Sequence, residues 1–178
     1  MRFFIVFILF TNICFSQGYP EDTLWFNEEG HLKDTFVVEN IYFELAQADL
    51  ITYPEKENQT LYWDSSRVEL VYHTLDSLSL QIQKDGGKFK VWVHTDCRGS
   101  DHCCSRPSEA RAKTVYYYLI EKGVNPESLM YAGAGEEIPR IYKGNTSLSC
   151  EYIEKQSSAY EKEWMHSLNR RVEIIRIE

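Results

Sequence analysis

A short apolar strand that ends in a carboxylate is the feature that most constrains this chain. Residues Phe89–Val93 are β-rich and lead directly into His94, Thr95 and Asp96. Fifteen residues after Asp96, Arg111 falls in the second turn of the next predicted helix. A strand end and the start of the following helix lie close together in an α/β-type unit. Asp96 and Arg111 are therefore predicted to face one pocket, where the pair would accept the ammonium and the carboxylate of a free amino acid end.

The hydrophobic pattern predicts alternating strands and helices. Apolar residues recur at helical spacing from Val71 to Ile82, and Pro107 lies in the first turn of the next helix, where a missing N–H costs nothing. A long connection, 133–161, carries a short helix near its end. The predicted strands are 36–43, 89–93, 129–132 and 172–177. The order β-α-β-α-β-(α)-β predicts an α+β fold, a two-layer sandwich with helices on one face of a four-stranded sheet.

The first residues, 1–16, are predicted to be a secretory signal peptide, with a positive start, an apolar run too short to span a bilayer, and cleavage after Ser16. Ile13 and Thr11 fit a lipoprotein signal at Cys14 poorly, so lipidation is disfavoured. The polar stretch 17–35 is interpreted as an N-terminal arm, and 36–178 as the folded domain. No other segment is expected to cross a membrane. The expected location is the periplasm, with association with the outer membrane left open.

The net charge disfavours two classes of partner. The chain has 27 acidic and 19 basic residues, which gives −8, and cleavage that removes Arg2 makes the mature chain −9. Such a balance argues against nucleic acid and against anionic lipid surfaces. The C-terminal arginines remain a candidate for a local basic site.

Four cysteines remain after cleavage, namely Cys97, Cys103, Cys104 and Cys150. In an oxidising compartment an even number predicts disulfides, with three connectivities to choose from. A bond between the neighbours Cys103 and Cys104 would be strained. Each is therefore expected to pair elsewhere, with Cys97 and Cys150 as the remaining partners in an order left open.

Metal and catalytic functions are weaker interpretations of the same region. His94, Cys97, His102, Cys103 and Cys104 lie within eleven residues, but their spacing is not that of standard zinc knuckles. No oxyanion loop or cysteine-enzyme pattern accompanies them. We expect no metal, no cofactor and no enzymatic activity.

Several short pieces of the sequence carry a family resemblance. They are Val93-His94-Thr95-Asp96, Arg98-Gly99-Ser100, Ser108, Arg111-Ala112, Gly133-Ala134-Gly135-Glu136, Pro139 and Asn169-Arg170-Arg171-Val172. Together they resemble the C-terminal OmpA-like domain, a family that includes peptidoglycan-associated lipoprotein and the wall-anchoring domain of the flagellar stator. The resemblance covers about 36–178 and implies the fold predicted above, with a mixed sheet.

The resemblance also implies a ligand, the meso-diaminopimelate of the peptidoglycan stem peptide. Asp96 would take its ammonium and Arg111 its carboxylate. Thr95 would offer its backbone or hydroxyl, and Phe43 and Glu44, at the end of the first strand, would form another wall.

Three further positions bear on this site. Arg171 would add positive potential, or else Arg170 or Arg171 makes a structural ion pair. Cys104 stands where the family usually has an Asn that helps to fix the ligand or the loop, and Pro107 stands where it usually has Leu. A disulfide in this loop would fix the loop in place of the missing Asn.

The sequence therefore predicts a non-catalytic peptidoglycan-binding module that anchors itself or a partner to the cell wall. An outer-membrane or other envelope protein is a candidate partner, and the arm and the 133–161 connection are where it would bind. The alternative is a protein–protein interaction module that kept the fold and lost the ligand. An open pocket shared by Asp96 and Arg111 would favour the first function.

Overall fold

The computed structural model describes residues 25–27, 32–43, 48–50, 65–98 and 105–178, without the side chains of 65, 66, 105 and 106. The predicted signal peptide, Glu44, Cys103 and Cys104 lie outside these residues. In chain order the elements are β1 (Thr35–Val38), α1 (Ser65–Asp85), β2 (Phe89–His94), α2 (Ser105–Glu121), a 3₁₀ turn (Pro126–Ser128), β3 (Leu129–Gly135), β4 (Ile141–Tyr142), β5 (Thr146–Ser147), α3 (Cys150–Glu154), α4 (Ala159–Asn169) and β6 (Arg171–Arg176).

Four of the strands form one mixed sheet in the order β1-β6-β2-β3. Strand β6 is antiparallel to both of its neighbours, with Phe36 opposite Ile174 and Val91 also opposite Ile174. Strands β2 and β3 are parallel, and α2 provides the crossover connection that a parallel pair needs. The predicted α+β fold with a mixed four-stranded sheet and helices on one side is confirmed.

The main core lies between this sheet and helices α1 and α2. Alternate residues of β2, namely Phe89, Val91 and Val93, are buried because successive side chains in a strand point to opposite faces. The apolar stripe of α1 that meets the core consists of Val68, Val71, Leu75, Leu78 and Ile82. Among the described helices, none combines the length and the apolar character that crossing a bilayer requires.

The first strand is shorter than predicted. It ends at Val38, and the chain then turns through Asn40, whose φ of 63° is a left-handed conformation that asparagine tolerates better than most residues. The apolar residues after the turn, Ile41 to Phe43, pack against the core without joining the sheet, and Phe43 makes an isolated bridge with Leu50. The turn therefore places Tyr42 and Phe43 beside the sheet instead of within it.

The connection after β3 contains more structure than the single short helix predicted. It holds the β4–β5 hairpin, α3 and α4, with Ser149 and Ser158 as N-caps of the two helices. A second small core, built from Leu148, Ile153 and Met165, holds these pieces together. We call the unit 141–169 the insert. Its pattern was missed because its strands have two residues each and α3 has five, too few for a periodic signal.

Part of the predicted N-terminal arm belongs to the core. Trp25 and Leu32 are buried, and the Trp25 ring stacks on Phe36 with the ring centroids 5.8 Å apart. The backbone N–H of Lys33 donates to the carbonyl of Trp25. The domain boundary at 36 remains a prediction from sequence.

One disulfide joins Cys97 and Cys150, whose Cα atoms are 5.9 Å apart. The expectation that these two cysteines pair with Cys103 and Cys104 was therefore wrong. The fold brings the two cysteines together, because the start of α3 lies beside the turn that follows β2, although 53 positions separate the cysteines in sequence. The pairing also removes the Cys97 thiolate from any zinc site.

Removing the disulfide should destabilise the protein by about 2–4 kcal/mol, since it closes a long loop in the unfolded chain. The measurement is the free energy of unfolding in urea of the double variant Cys97→Ala/Cys150→Ala against wild type. An unchanged urea midpoint would show that the disulfide does not contribute to the stability of the folded protein.

A close approach between α2 and β3 explains a glycine of the predicted motif. A Cβ on Gly133 would lie 2.3 Å from the backbone nitrogen of Glu109 and 2.4 Å from Ser108 Oγ. The buried Ser108 hydroxyl in turn accepts a hydrogen bond of 3.0 Å from the backbone N–H of Gly135. Only glycine at position 133 lets the first turn of α2 sit this close to the strand.

Gly133→Ala should cost about 2–3 kcal/mol of stability, because the clash is with backbone that cannot move aside cheaply. Gly144→Ala is the control, since nothing lies within 4 Å of a Cβ there and its φ of 85° adds strain of only about 1 kcal/mol. Thermal unfolding of both variants would test this, and equal losses would contradict it.

Candidate functional site

Asp96 is presented by the end of the central strand. Strand β2 stops at His94, and the backbone N–H of Thr95 still donates to the carbonyl of Gly135 at 2.8 Å, which holds the turn against β3. The Thr95 hydroxyl is buried and has no hydrogen-bond partner in the described part of the chain. Asp96 itself is 8% exposed, so its carboxylate is largely removed from water.

Two arginines compensate the buried carboxylate. Arg98 donates to Asp96 Oδ2 from Nε at 3.1 Å and from Nη2 at 2.6 Å, and its backbone N–H donates to Oδ1 at 3.2 Å. Arg170, at the C-terminal end of α4, donates to the same Oδ2 from Nη1 at 2.5 Å. Glu163 completes the set, since it accepts from Arg98 Nη1 at 2.5 Å and from Arg170 Nη2 at 2.9 Å. We call these four residues the charge network.

The charge network keeps both carboxylates ionised. Burial would raise the pKa of Asp96, but hydrogen bonds and charge from Arg98 and Arg170 outweigh it and hold the pKa below its usual value. The pKa of Glu163 is lowered in the same way, with burial opposed by Arg170 and Arg98. The network therefore contains two full negative and two full positive charges.

Arg111 lies on α2 and is coupled to the same carboxylate. Its guanidinium stacks over the Phe43 ring, 5.1 Å from the ring centroid. The pKa of Arg111 is lowered, because burial and the charge of Arg170 outweigh the opposite effect of Asp96. Two members of the charge network, Asp96 and Arg170, therefore act on this arginine. The structure thus brings together Asp96, Arg111 and Phe43, which the sequence predicted to share a site.

A cleft of about 770 Å³ opens beside the charge network. One wall is the turn after β1, from Val38 to Phe43, and the opposite wall is α4, through Glu163, Ser167 and Leu168. Six arginines line the described part of the cleft, namely Arg67, Arg98, Arg111, Arg140, Arg170 and Arg171. The acidic residues among the described lining are Glu39 and Glu163, so the surface is strongly cationic in a protein whose net charge is −8.

Asp96 lies behind this surface. The side chains of Arg98 and Arg170 line the cleft and cover the carboxylate, which does not itself form part of the described lining. A ligand entering the cleft therefore meets guanidinium groups before it meets Asp96.

Arg171 has structural partners. Its guanidinium donates to Glu173 from Nε at 2.6 Å, and to the carbonyls of Asn169 and Ile138. His94 Nε2 lies 3.3 Å from the same Glu173 carboxylate, without the alignment of a hydrogen bond. Burial would raise the pKa of Glu173, but His94 and Arg171 outweigh it and set the pKa to about 2. Arg171 thus makes a structural ion pair with Glu173 and also lines the cationic cleft.

Several lining residues were not predicted. Arg98 belonged to the motifs but had no assigned contact, and Arg170 was considered only for a structural ion pair. Glu163, Arg67 and Arg140 had no signal at all. Glu163 reaches the site only because the insert folds back over the end of β2, which no local pattern reveals. Glu44 and Cys104, both predicted for this site, lie outside the described residues.

The comparison with known proteins supports the fold. No protein-family model matches the sequence, and no curated protein matches it. Among solved structures, the periplasmic domain of MotB has a TM-score of 0.50 and 17% sequence identity, over 80% of this chain and 60% of that chain. A periplasmic domain of Helicobacter pylori MotB (TM-score 0.48, 19% identity, 80% and 73% covered) and the peptidoglycan-associated lipoprotein from Burkholderia pseudomallei (0.49, 16%, 81% and 90%) also match. The resemblance to the OmpA-like domain is confirmed at the level of the fold.

Replacing Glu173 by Gln should reduce the loss of unfolding free energy that the protein shows as the pH is lowered. The pKa of this group is about 2 in the folded protein and near 4.5 when unperturbed. Between pH 2 and pH 4.5, Glu173 is protonated in the unfolded chain but ionised in the folded protein. Its contribution to the free energy of unfolding is therefore complete above about pH 4.5 and is lost as the pH falls towards 2. The lost part is about 3 kcal/mol. Urea unfolding from neutral to acid pH would measure it, and parallel curves for wild type and variant would contradict it.

Proposed function

We propose that this chain is a non-catalytic cell-wall-binding module that takes the diaminopimelate of the peptidoglycan stem peptide into the arginine-lined cleft. The supporting observation is the coupling of a buried carboxylate, Asp96, to a half-buried guanidinium, Arg111, beside one open cleft. A free amino acid end carries an ammonium and a carboxylate together, which matches a carboxylate and a guanidinium beside one cleft. The motifs that resemble the OmpA-like domain place the same two residues in these roles.

The volume and the charge of the cleft suit such a ligand. About 770 Å³ lies within the range of sites that enclose small molecules. The arginines on its walls match the carboxylates of a stem peptide, and guanidinium groups bind carboxylates in a directed, bidentate way. The Arg111 guanidinium stacks on the Phe43 ring, which limits the directions in which the N–H groups of Arg111 can point.

The proposed place of action is the periplasm, since the structure that matches at a TM-score of 0.50 is a periplasmic domain. The predicted signal peptide agrees with this. Anchoring a second envelope protein to the wall is part of the proposal, and the insert offers the exposed side chains of Ile141 and Tyr160 for that contact.

One observation favours the alternative, an interaction module without a wall ligand. Asp96 already has two guanidinium partners in the ligand-free protein. Against it, Arg111 lines an open cleft in the described part of the chain, and Asp96 lies directly behind two arginines of that lining.

The test is retention of the protein by purified sacculi of the diaminopimelate type under non-reducing conditions. Asp96→Asn and Arg111→Gln should each lower retention at least tenfold, roughly the cost of truncating one partner of a desolvated charge pair. Lys113→Gln is the matched control, because Lys113 is exposed on the same helix and stacks over Tyr117 outside the cleft. Circular dichroism should show all variants folded. Failure of the wild type to bind would leave the interaction module as the function.

A further inference from the structure

We infer that Arg98 is a specificity-determining residue that competes with the ligand for Asp96, so that the ligand's ammonium enters in exchange for the Arg98 guanidinium. This inference rests on the proposed function and names the event that must accompany binding. It follows from the contacts of the charge network, since Arg98 and Arg170 together donate three hydrogen bonds to Asp96 Oδ2.

Charge balance requires an exchange. The network holds Asp96 and Glu163 against Arg98 and Arg170, so its net charge is zero. An ammonium added at Asp96 while both guanidinium groups stay would place three cations on one carboxylate that is 8% exposed, close to further arginines of the cleft. Crowding like charges in a partly desolvated site is costly. Moving one guanidinium off Asp96 leaves two cations there, as in the ligand-free protein.

Arg98 is the arginine that can leave. Its side chain is 47% exposed, whereas that of Arg170 is 34% exposed. Arg170 lies at the junction between α4 and β6, where its backbone N–H donates to the carbonyl of His166, so its backbone is fixed at both ends by regular structure. Arg98 lies in a turn. Water can therefore solvate Arg98 as it withdraws, and the chain around Arg170 does not have to move.

Glu163 lowers the free-energy cost of the exchange. Arg98 Nη1 donates to Glu163 Oε2, while its Nε and Nη2 donate to Asp96. When Arg98 gives up Asp96, it keeps the contact with Glu163, and Arg170 continues to bridge both carboxylates. Only the Asp96 side of one guanidinium changes partner.

A consequence for ligand selection follows. A ligand with carboxylates alone can bind the arginines of the cleft but cannot displace Arg98 from Asp96. A ligand that also carries a free amine can do so. Arg98 therefore lowers the affinity for amine-bearing ligands in general, and only those whose carboxylate is also held at Arg111 overcome this competition.

The experiment compares wild type with Arg98→Gln by isothermal titration calorimetry, using a muramyl tripeptide that ends in meso-diaminopimelate. The same tripeptide with its free amine acetylated is the second ligand. Without the competitor, the affinity for the amine-bearing tripeptide should rise roughly fivefold, the upper end for a half-exposed ion pair. The affinity for the acetylated form should not rise. Lys162→Gln controls for loss of one positive charge on the neighbouring helix, since Lys162 pairs with Glu154 away from Asp96.

The outcomes separate the two proposals. Tighter binding of the amine-bearing tripeptide by Arg98→Gln alone supports the exchange. Equal or weaker binding by this variant, with wild type still binding, overturns the exchange and leaves the wall-binding function intact. A gain of the same size for both tripeptides also overturns it, because the effect would then not involve the amine. If neither protein binds either tripeptide, the proposed function itself fails.

Discussion

The burial of one carboxylate at the end of the central strand governs the structure around the cleft. A carboxylate removed from water needs cationic partners, and Asp96 draws one from its own turn and another from the far side of the insert. The second partner, Arg170, then needs Glu163 to balance it. Four side chains from two parts of the chain, the segment after β2 and helix α4 with its C-cap, are in this way fixed relative to one another by the requirement of a single buried group.

The insert is the part of the fold that makes this arrangement possible. It has its own small core, so its position does not depend on the main core alone. Two connections tie it to the end of β2, the ionic one through Glu163 and the covalent one through Cys97–Cys150. Cys97 lies between Asp96 and Arg98, so the covalent link acts directly on the turn that carries both charges. The geometry of the cleft therefore depends on a segment for which the sequence predicted only one short helix.

The sequence predicted what is local and periodic. The stripe of α1, the apolar β2 and the sequence distance from Asp96 to Arg111 all follow from spacing within one supersecondary unit, and the structure places them accordingly. The sequence did not predict the partners of Asp96, because they are set by where the chain returns after many residues. It also mispaired Cys97. Excluding a strained bond between the neighbours Cys103 and Cys104 left Cys97 and Cys150 as their partners, whereas the fold brings Cys97 and Cys150 together.

The strand order has a consequence for how the chain acquires its structure. Strand β6, the last of the described elements, lies between β1 and β2, and it pairs Thr35 with Ile175 across nearly the whole described chain. Contacts between such distant residues form late, since the intervening chain must first be ordered. As the chain emerges from its N-terminus into the compartment where it folds, β1 has no neighbour to pair with until 171–176 have followed. The sheet is thus completed only after β6 has emerged, and a chain halted before that point leaves one edge of β2 open to strand exchange with other unfinished chains.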